Sequence, residues 1–288
     1  MEYDIKKISE ADTEFPNCLR VIPSRPKELY LRGTLDLAAP CVAIVGSRIP
    51  STYGKQACQD IASGLARAGV CVVSGLAPGI DTISHKTALE CGGQTIGVLG
   101  TGLDENSFFP KQNLDLAQEI VDTGGCLVSE YPAGFRATNY SFPQRNRIIS
   151  GLSLAIVVIE AKEKSGSLLT AEWGRKQHKL VFAVPGSIYS ANSKGCNRLL
   201  KNEAKACDSA LDILNALGIA PVSPKIAAAT NNPEEQKILD ALKDGALTTD
   251  QIILTTKLPA PTVIGLIPVM EINNIIRSLG NGEYCLNN

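Results

Sequence analysis

The chain has 288 residues, of which 44% are hydrophobic and 20% are charged. This composition is typical of a folded globular protein rather than a disordered chain, and no apolar run reaches the roughly 18 residues that suggest a membrane helix. Taken over the whole chain, the formal net charge of −1 argues against a polyanion-binding protein.

Residues 1–40 form an N-terminal lead-in segment. Its first nine residues carry acids and lysines. They lack the apolar stretch of a signal peptide, so we expect a cytoplasmic protein without a membrane partner.

Residues 41–218 alternate short β-rich apolar runs with longer helical patterns. Strands are predicted at 41–45, 70–73, 95–99, 126–128, 154–159 and 180–184, and helices at about 54–68, 82–90, 113–121 and 168–178, with one or two more helices up to residue 217. Strands that are continuously apolar are buried on both faces, as in a parallel sheet covered by helices. The fold class is therefore predicted to be α/β, with a doubly wound, mainly parallel sheet.

A change of character after this region predicts a linker and a second domain. Ala, Pro, Thr and Asn dominate the expected linker at 219–232. Residues 233–288 contain helical patterns at 234–242, 249–255 and 261–274, followed by a hairpin signal at Gly280-Asn281-Gly282. Three helices and a hairpin predict a small C-terminal winged-helix domain.

The charge of this second domain does not suit duplex DNA. Its predicted recognition helix, residues 261–274, contains no Lys or Arg, and residues 229–288 carry 4 basic and 7 acidic side chains. A helix that reads a duplex needs cations, so we expect a protein-interaction or packing module.

Signatures of enzymes and cofactors are missing from the sequence. The nine cysteines form no CxxC pair, and GxGxxG, GxxxxGK[ST] and GxSxG are absent. His85 and His178 are the two histidines, and we expect packing or surface roles for both. We therefore predict no catalytic residues, no metal and no cofactor.

Nearly every predicted strand ends in small residues. The four stretches are Gly46-Ser47-Arg48, residues 74–81, residues 100–104 and residues 164–167. Open backbone amides and helix N-termini at the carboxyl edge of a parallel sheet attract anions. The sequence therefore favours a phosphate site over plain tight turns.

The net charge of −1 over the whole chain conceals one strongly basic segment. Residues 136–198 hold 10 basic and 3 acidic side chains, whereas the residues before and after them are net acidic. Tyr140, Phe142 and Trp173 lie in the same segment. A positive groove with aromatic side chains suits single-stranded nucleic acid, because phosphates need cations and unpaired bases stack.

Seven stretches between about Pro16 and Leu217 then form a recognisable series. They are VAIVGSR at 42–48, VVSGLAPGID at 72–81, VLGTGLD at 98–104, SEYP at 129–132, FPQRNRIISGLS at 142–153, KSGSLLTA at 164–171 and FAVPGS at 182–187. In this order and spacing they resemble the DNA-processing protein A family (DprA, also called Smf).

The resemblance implies a bacterial protein that binds incoming single-stranded DNA during natural transformation and helps to load the RecA recombinase onto it. It also implies an extended Rossmann domain that dimerises, with a C-terminal winged helix in many members. The expected partners are therefore single-stranded DNA, RecA, SSB and a second copy of the chain.

The resemblance also assigns residues to the DNA site. Carried over by motif, Arg48 is expected to anchor a phosphate and Phe142 to stack a base. Asn146 has a second reading as a brace of its own loop, since Asn often bonds nearby backbone. The remaining residues are expected to line, brace or close the groove: Gly46, Ser47, Ser74, Gly75, Arg145, Arg147, Lys164, Ser165, Gly166 and Ser167.

Three features depart from the family pattern. Pro78 stands where the family commonly has Arg or Lys, so one groove cation is missing and lower affinity is expected. The family often has an additional N-terminal helical domain, whereas about 40 residues precede the first predicted strand here. Glu172 puts an acid where other members have a base.

Two alternatives stay open from the residues. The glycine-rich crevice could hold a mononucleotide or nucleotide sugar, as a sensor or as a hydrolase of nucleotide N-glycosidic bonds, with Glu172, Glu130 and Asp81 as the available carboxylates. We favour a surface charge and two loop caps for these three. A defence or signalling relative that binds another polyanion is the third reading.

Overall fold

A computed structural model describes residues 4–202, 204–220, 232–243, 245–273, 275–280 and 282–286. The chain divides into two compact units, Met1–Pro221 and Val222–Asn288. Most of the predicted linker, residues 221–231, lies outside the described residues, and the domain boundaries given above stay a prediction.

The first unit is built on a nine-stranded sheet. Its strands are β1 (Lys6–Ser9), β2 (Glu28–Gly33), β3 (Cys41–Val45), β4 (Cys71–Ser74), β5 (Thr95–Leu99), β6 (Cys126–Ser129), β7 (Ala155–Val158), β8 (Leu180–Ala183) and β9 (Lys205–Ala206). Their order is β1-β2-β6-β5-β4-β3-β7-β8-β9. Neighbours pair in parallel from β6 to β9 in that order, whereas β1 and β2 add an antiparallel edge.

Eight helices of the first unit connect and cover these strands. They are α1 (Asn17–Arg20), α2 (Thr52–Arg67), α3 (Ile80–Glu90), α4 (Leu114–Asp122, after a 3-10 turn at Lys111–Asn113), α5 (Ser141–Leu152), α6 (Gly166–Lys176), α7 (Lys194–Lys201) and α8 (Ala210–Leu217).

Both faces of the sheet are apolar, as continuous apolar strands require. In β3, Cys41 and Ala43 face a core that includes Ile148 of α5 and Leu168 of α6. Val42 faces the opposite core together with residues of α2, α3 and α8. Helices therefore cover the sheet on both sides, and the prediction of a doubly wound, mainly parallel fold is confirmed.

Several elements of the first unit were not predicted. Helix α5 carries the FPQRNRII motif, and its polar residues Arg145, Asn146 and Arg147 are buried, which breaks the apolar period of an ordinary helix. Strands β1 and β2 fall in the predicted lead-in segment, where half-buried strands alternate and give a weaker signal. The predicted strands and helices are all present, with ends shifted by at most two residues.

The second unit holds three helices and a small sheet. They are α9 (Pro233–Ala241), α10 (Thr249–Thr256), α11 (Ala260–Ile272) and the strands β10 (Leu247–Thr248), β11 (Ile276–Gly280) and β12 (Glu283–Leu286), paired in the order β10-β12-β11. Thr248 and Gln251 form a capping box that starts α10. Ile238, Val263 and Met270 contribute to a separate core. The winged-helix prediction is confirmed.

No single described helix is long and apolar enough to cross a membrane. The pair α10 and α11 passes the same test only when both are taken together, and a bend of 119° separates them.

Candidate nucleic-acid interface

The topological switch point of the sheet lies between β3 and β7. From β3 the chain crosses through α2 to β4 on one side, while β7 and β8 continue on the other side. Ligands of open α/β folds bind beyond the carboxyl ends of strands at such a point. The loop after β3, residues 46–51, and the loop after β7, residues 159–165, meet there.

A cavity of about 550 Å³ opens at this switch point, and we call it the arginine cavity. Loops after β3, β4, β5 and β7, the segment before α5, and the helices α5 and α6 form its walls. Its lining residues are Val45, Gly46, Arg48, Ala77, Asp81, Phe109, Asn139, Phe142, Pro143, Arg145, Asn146, Ile149, Ser165, Gly166, Ser167, Leu169 and Thr170.

Arg145 forms the floor of the arginine cavity. Its side chain is buried, and its Nη1 donates to the carbonyl oxygens of Gly75, at 2.6 Å, and Val98. Burial lowers the pKa of the guanidinium to about 10, and the carboxylate of Asp81 opposes this shift. Arg145 therefore stays protonated at neutral pH and places a fixed positive charge below the cavity.

Asp81, at the start of α3, braces the loop after β4. Its Oδ2 accepts hydrogen bonds from the backbone nitrogens of Gly75, at 3.1 Å, and Ala77, at 3.4 Å. Burial raises the pKa of Asp81, whereas Arg145 and these amides lower it. Glycine is required at position 75, because a Cβ there would overlap the Arg145 guanidinium.

One exposed arginine and two aromatic rings form the mouth of the cavity, and the buried Arg145 lies below them. The Cζ atoms of Arg48, which is exposed, and of Arg145 each lie 6.0 Å from the centre of the Phe142 ring. The ring of Phe109 lies 6.0 Å from that of Phe142, tilted by 53°. Phe109 is 49% exposed. A base can stack here while its phosphate contacts a guanidinium.

The N-terminus of α6 forms the opposite wall. Ser165 caps the helix, its Oγ accepting from the backbone nitrogen of Ser167 at 3.4 Å. Asn146 Nδ2 donates to the Gly166 carbonyl at 3.3 Å, and Asn146 Oδ1 accepts from Arg145 Nε at 3.0 Å. Asn146 therefore links α5 to the α6 terminus, and it lies within a helix rather than in a loop that it could brace.

Two further cavities share lining residues with the arginine cavity. One, of about 300 Å³, shares Arg48, Phe109 and Phe142 with it and adds Lys111 and Pro78. The other, of about 570 Å³, shares Ser165, Gly166 and Leu169 with it and adds Lys164, Arg175, Arg198 and the acids Glu163 and Glu172. Because they share lining residues, we describe the three cavities together as one groove at the carboxyl ends of the parallel strands.

Most of the DNA-site residues predicted from sequence meet at this groove. Gly46, Arg48, Gly75, Phe142, Arg145, Asn146, Lys164, Ser165, Gly166 and Ser167 all line one of the three cavities. Ser47 and Ser74 lie behind the lining. Ser47 Oγ accepts from the Ile49 nitrogen at 3.1 Å, and Ser74 Oγ donates to the Ile44 carbonyl at 2.6 Å.

Arg147 does not line any of the three cavities, and its side chain instead joins α5 to other segments of the first unit. Its side chain is 4% exposed and its Nη2 pairs with Glu130 Oε1 at 2.6 Å. Its Nε donates to the Ser24 carbonyl at 2.6 Å. A guanidinium held in this way ties α5 to the segment before β2 and has no donor directed to the arginine cavity.

The loop after β5 joins the cavity at a different residue from those predicted. It spans residues 100–110, and Phe109 lines the arginine cavity whereas residues 100–104 do not. Gly100 packs behind Phe142, and Leu103 and Asp104 line a separate cavity that is rich in acids. Loops after β3, β4, β5 and β7 therefore all contribute to the cavity, and the β5 loop does so through Phe109 rather than through residues 100–104.

Sequence reasoning missed Phe109 and Lys111. They follow Ser107-Phe108 in a stretch without helical or strand periodicity, and Phe108 next to them is buried. The available signal was the sequence Phe109-Pro110-Lys111 after a predicted strand, which places an aromatic ring beside a cation. Conversely, Tyr140 and Trp173, grouped with Phe142 in the sequence, are not among the residues that line the three cavities.

The three carboxylates of the alternative enzymatic reading each have a partner within the protein, and two of them, Asp81 and Glu172, line the groove. Asp81 holds backbone amides, Glu130 pairs with Arg147, and Glu172 pairs with Lys176 at 2.8 Å across one turn of α6. Among the described residues, no group of three His, Cys, Asp or Glu side chains is placed to hold a metal ion.

Family models match both units of the chain. A model described as DNA recombination-mediator protein A matches residues 6–218, and a model described as DprA winged helix domain matches residues 222–282.

Curated relatives match most of this chain. Protein Smf of Synechocystis is 40% identical over 79% of the chain, which spans only 56% of that protein's length. DNA processing protein DprA of Streptococcus pneumoniae is 44% identical over 70% of the chain and 71% of the relative.

Solved structures match the fold. The DprA structure from S. pneumoniae has a TM-score of 0.69 at 42% identity and covers 73% of this chain and 74% of its own. DNA processing protein A from Helicobacter pylori, described with its single-stranded DNA binding mode, has a TM-score of 0.67 at 32% identity and covers 75% of this chain and 96% of its own.

Proposed function

This chain belongs to the DNA recombination-mediator protein A (DprA/Smf) family, and from that premise we propose that it binds single-stranded DNA in the three-cavity groove. The observation that carries the proposal is the arginine cavity, where the Cζ atoms of the exposed Arg48 and the buried Arg145 each lie 6.0 Å from the centre of the Phe142 ring. The H. pylori relative binds single-stranded DNA, which supports the same ligand class for this chain.

The chemistry of the groove suits a strand read without sequence preference. Arg48 and Lys111 supply cations that reach solvent, Arg145 supplies a fixed charge from below, and Phe109 and Phe142 supply ring faces. Cations that track phosphates and rings that stack any base give affinity without base-edge readout. A duplex has its bases already stacked, so the rings favour single strands.

Fluorescence anisotropy of a labelled poly-dT oligonucleotide across a salt series tests the proposal. Arg48→Ala is expected to weaken binding about tenfold, because it removes a charge-assisted contact. It should also lower the slope of log affinity against log salt by about 0.7, the value for one phosphate contact of a single strand. Lys86→Ala, which removes an exposed charge on α3, is the matched control and should keep both values.

The stacking part of the proposal has its own variant. Phe109→Leu keeps an apolar side chain but removes the ring, and should weaken poly-dT binding about fivefold with an unchanged salt slope, since a stacked base contributes about 1–3 kcal/mol. Tyr189→Leu removes a ring that is 93% exposed and outside the groove, and should have no effect. Wild-type binding by both Arg48→Ala and Phe109→Leu would contradict the groove as the DNA site.

We further propose that the protein acts in the cytoplasm as a recombination mediator that passes the bound strand to RecA, with SSB and a second copy of the chain as further partners. The support is family membership. Addition of the protein to RecA and SSB-coated single strands should speed filament formation, and Arg48→Ala should not. A solution mass measurement tests the dimer.

A nucleotide sensor or N-glycosidic hydrolase is the competing function. Neither is favoured by the site, because Asp81, Glu130 and Glu172 are each held by a neighbour. Release of ribose or base from a panel of nucleotides would decide for that reading against ours.

A further inference from the structure

We propose that Glu160 is a positioning residue that holds the loop at residues 46–51 so that Arg48 lines the arginine cavity. This inference rests on the proposed function, since its effect is read out through DNA binding. Glu160 follows β7, the strand next to β3, and is only 2% exposed.

The hydrogen bonds of Glu160 converge on the loop that carries Arg48. Its Oε2 accepts from the Ser51 backbone nitrogen at 2.9 Å, and its Oε1 accepts from the Ser51 hydroxyl at 2.6 Å. A buried carboxylate is tolerated only with such partners. The same Ser51 oxygen accepts from the Gly54 nitrogen at 3.1 Å and caps α2.

Asn192 extends this contact to a second point of the loop. Its Nδ2 lies 3.2 Å from the Ile49 carbonyl and 3.4 Å from Glu160 Oε2, and donates to both. The loop is therefore held at Ile49 and at Ser51, the positions one and three residues after Arg48. On the other side, the Ser47 carbonyl accepts from the Ile80 nitrogen at 3.1 Å.

The position of the carboxylate also explains why an arginine is needed. Doubly wound folds commonly hold a ligand phosphate at the N-terminus of the helix after the first parallel strand. Here the Glu160 carboxylate takes that place at α2, and Gly54 leaves room for it, since a Cβ at 54 would overlap the carboxylate. Glu160 and the Ser51 hydroxyl thus take up the Ser51 and Gly54 amides, and a DNA phosphate is expected to contact the Arg48 side chain instead.

The experiment compares Arg48→Ala, Glu160→Gln and the double variant in the poly-dT salt series. Glutamine keeps the size of Glu160 but loses the charge and one acceptor for Ser51. We expect Glu160→Gln to weaken binding about tenfold and to lower the salt slope by about 0.7, as Arg48→Ala does. The double variant should be no weaker than Arg48→Ala within about twofold, because both changes remove the same contact.

Asn192→Ala keeps the inference testable if Glu160→Gln does not fold. It removes the bond to the Ile49 carbonyl and leaves the Ser51 contacts in place, so a smaller loss of slope is expected. Glu119→Gln, on the exposed side of α4, changes the net charge equally and is the matched control. Thermal unfolding of each variant separates loss of fold from loss of binding.

The outcomes distinguish the two proposals. If Arg48→Ala lowers the slope while Glu160→Gln and Asn192→Ala keep it, the positioning role is wrong and the DNA site stands. Independent, multiplying losses in the double variant would also overturn the positioning role. If Arg48→Ala itself binds like wild type, Arg48 holds no phosphate and the positioning role is wrong, and the DNA site fails as well only if Phe109→Leu also binds like wild type.

Discussion

Three arginines of the first unit have the same side chain but different surroundings, and their surroundings decide what each does. Arg48 is exposed at the cavity mouth, Arg145 is buried below it against the carbonyls of Gly75 and Val98, and Arg147 is buried in an ion pair. An exposed guanidinium can exchange water for a phosphate, whereas a buried one has already made its bonds. Sequence spacing alone does not separate these cases.

Arg147→Ala is therefore expected to cost stability rather than DNA contacts. Removing one partner of a buried ion pair costs about 3–5 kcal/mol, and the Ser24 carbonyl also loses its donor. Urea unfolding should show this loss, whereas Arg48→Ala should stay within about 0.5 kcal/mol of wild type. A folded Arg147→Ala protein should bind poly-dT within about twofold of wild type, and a lowered salt slope would show a direct phosphate contact instead.

His85 is a buried group whose charge state affects stability. Its Nδ1 lies 2.6 Å from the Thr95 hydroxyl, and that hydroxyl donates to the Val72 carbonyl at 2.7 Å. Nδ1 must then carry the proton and donate to Thr95. Burial, with a smaller effect of Arg145, lowers the pKa of His85 to about 3. The imidazole is thus neutral in the folded protein at physiological pH.

The free energy of unfolding should consequently fall as the pH drops from 6.5 towards 3. In that window the unfolded chain protonates His85 and the folded chain does not, so each pH unit costs up to about 1.4 kcal/mol. His85→Asn keeps a donor near Thr95 and cannot titrate, so this part of the slope should vanish from urea unfolding curves. Asp81, whose pKa burial raises, gives the opposite slope in both proteins and cancels in the comparison. Equal slopes would contradict a buried neutral His85.

At the scale of elements, helix α5 shows where sequence patterns stop being informative. Period and apolar runs found β3 to β8 and most of the helices because those elements bury apolar faces. Helix α5 buries Arg145, Asn146 and Arg147 instead, so its motif was recognised from the family resemblance and its helical state was not. The buried polar residues of α5 therefore interrupt the apolar period from which a helix is predicted.

Sequence patterns likewise predict only part of the candidate site. Small residues after four strands predicted a phosphate site at the carboxyl ends of the sheet, because parallel strands end at a common edge, and the stretches after β3, β4 and β7 line the groove. Phe109 reaches the cavity from the β5 loop only through tertiary packing. Glu160 forms hydrogen bonds with Ser51 and Asn192, which are far from it in the sequence. Such contacts between distant segments leave no local pattern in the sequence.

Two helical glycines should respond oppositely to substitution. Gly265 in α11 is exposed with open space around a Cβ, so Gly265→Ala should stabilise the second unit by about 0.8–1.0 kcal/mol. Gly54→Ala in α2 places a methyl group against the Glu160 carboxylate and should destabilise the first unit by about 1–3 kcal/mol. Thermal unfolding checks both, and a neutral Gly54→Ala would mean that α2 and Glu160 do not approach as closely as described.

At the scale of the whole molecule, the neutral total charge conceals a local distribution. The basic segment 136–198 contributes Arg145, Lys164, Arg175 and Arg198 to the groove. Arg48 and Lys111 come from the acidic segment before it. Counting charge by segment identified four of these six cations, because folding assembles the groove from both parts of the chain.

The second unit offers a different surface. Helix α11, Ala260–Ile272, contains no basic residue, and Ile264 and Ile272 are 59% and 80% exposed. Phosphate contacts need cations, so an apolar helix face of this kind does not suit a DNA backbone. The physical expectation is that the first unit alone accounts for strand binding.

This difference between the two units predicts how a truncated chain binds DNA. A chain of residues 1–220 retains the whole groove and the three cores of the first unit, and should bind poly-dT within about twofold of the full chain at an equal salt slope. A duplex of the same length should bind the full chain and residues 1–220 equally weakly, because α11 adds no phosphate contact. Anisotropy with both probes measures this. A slope that falls on truncation, or duplex affinity that only the full chain shows, would assign DNA contacts to the second unit after all.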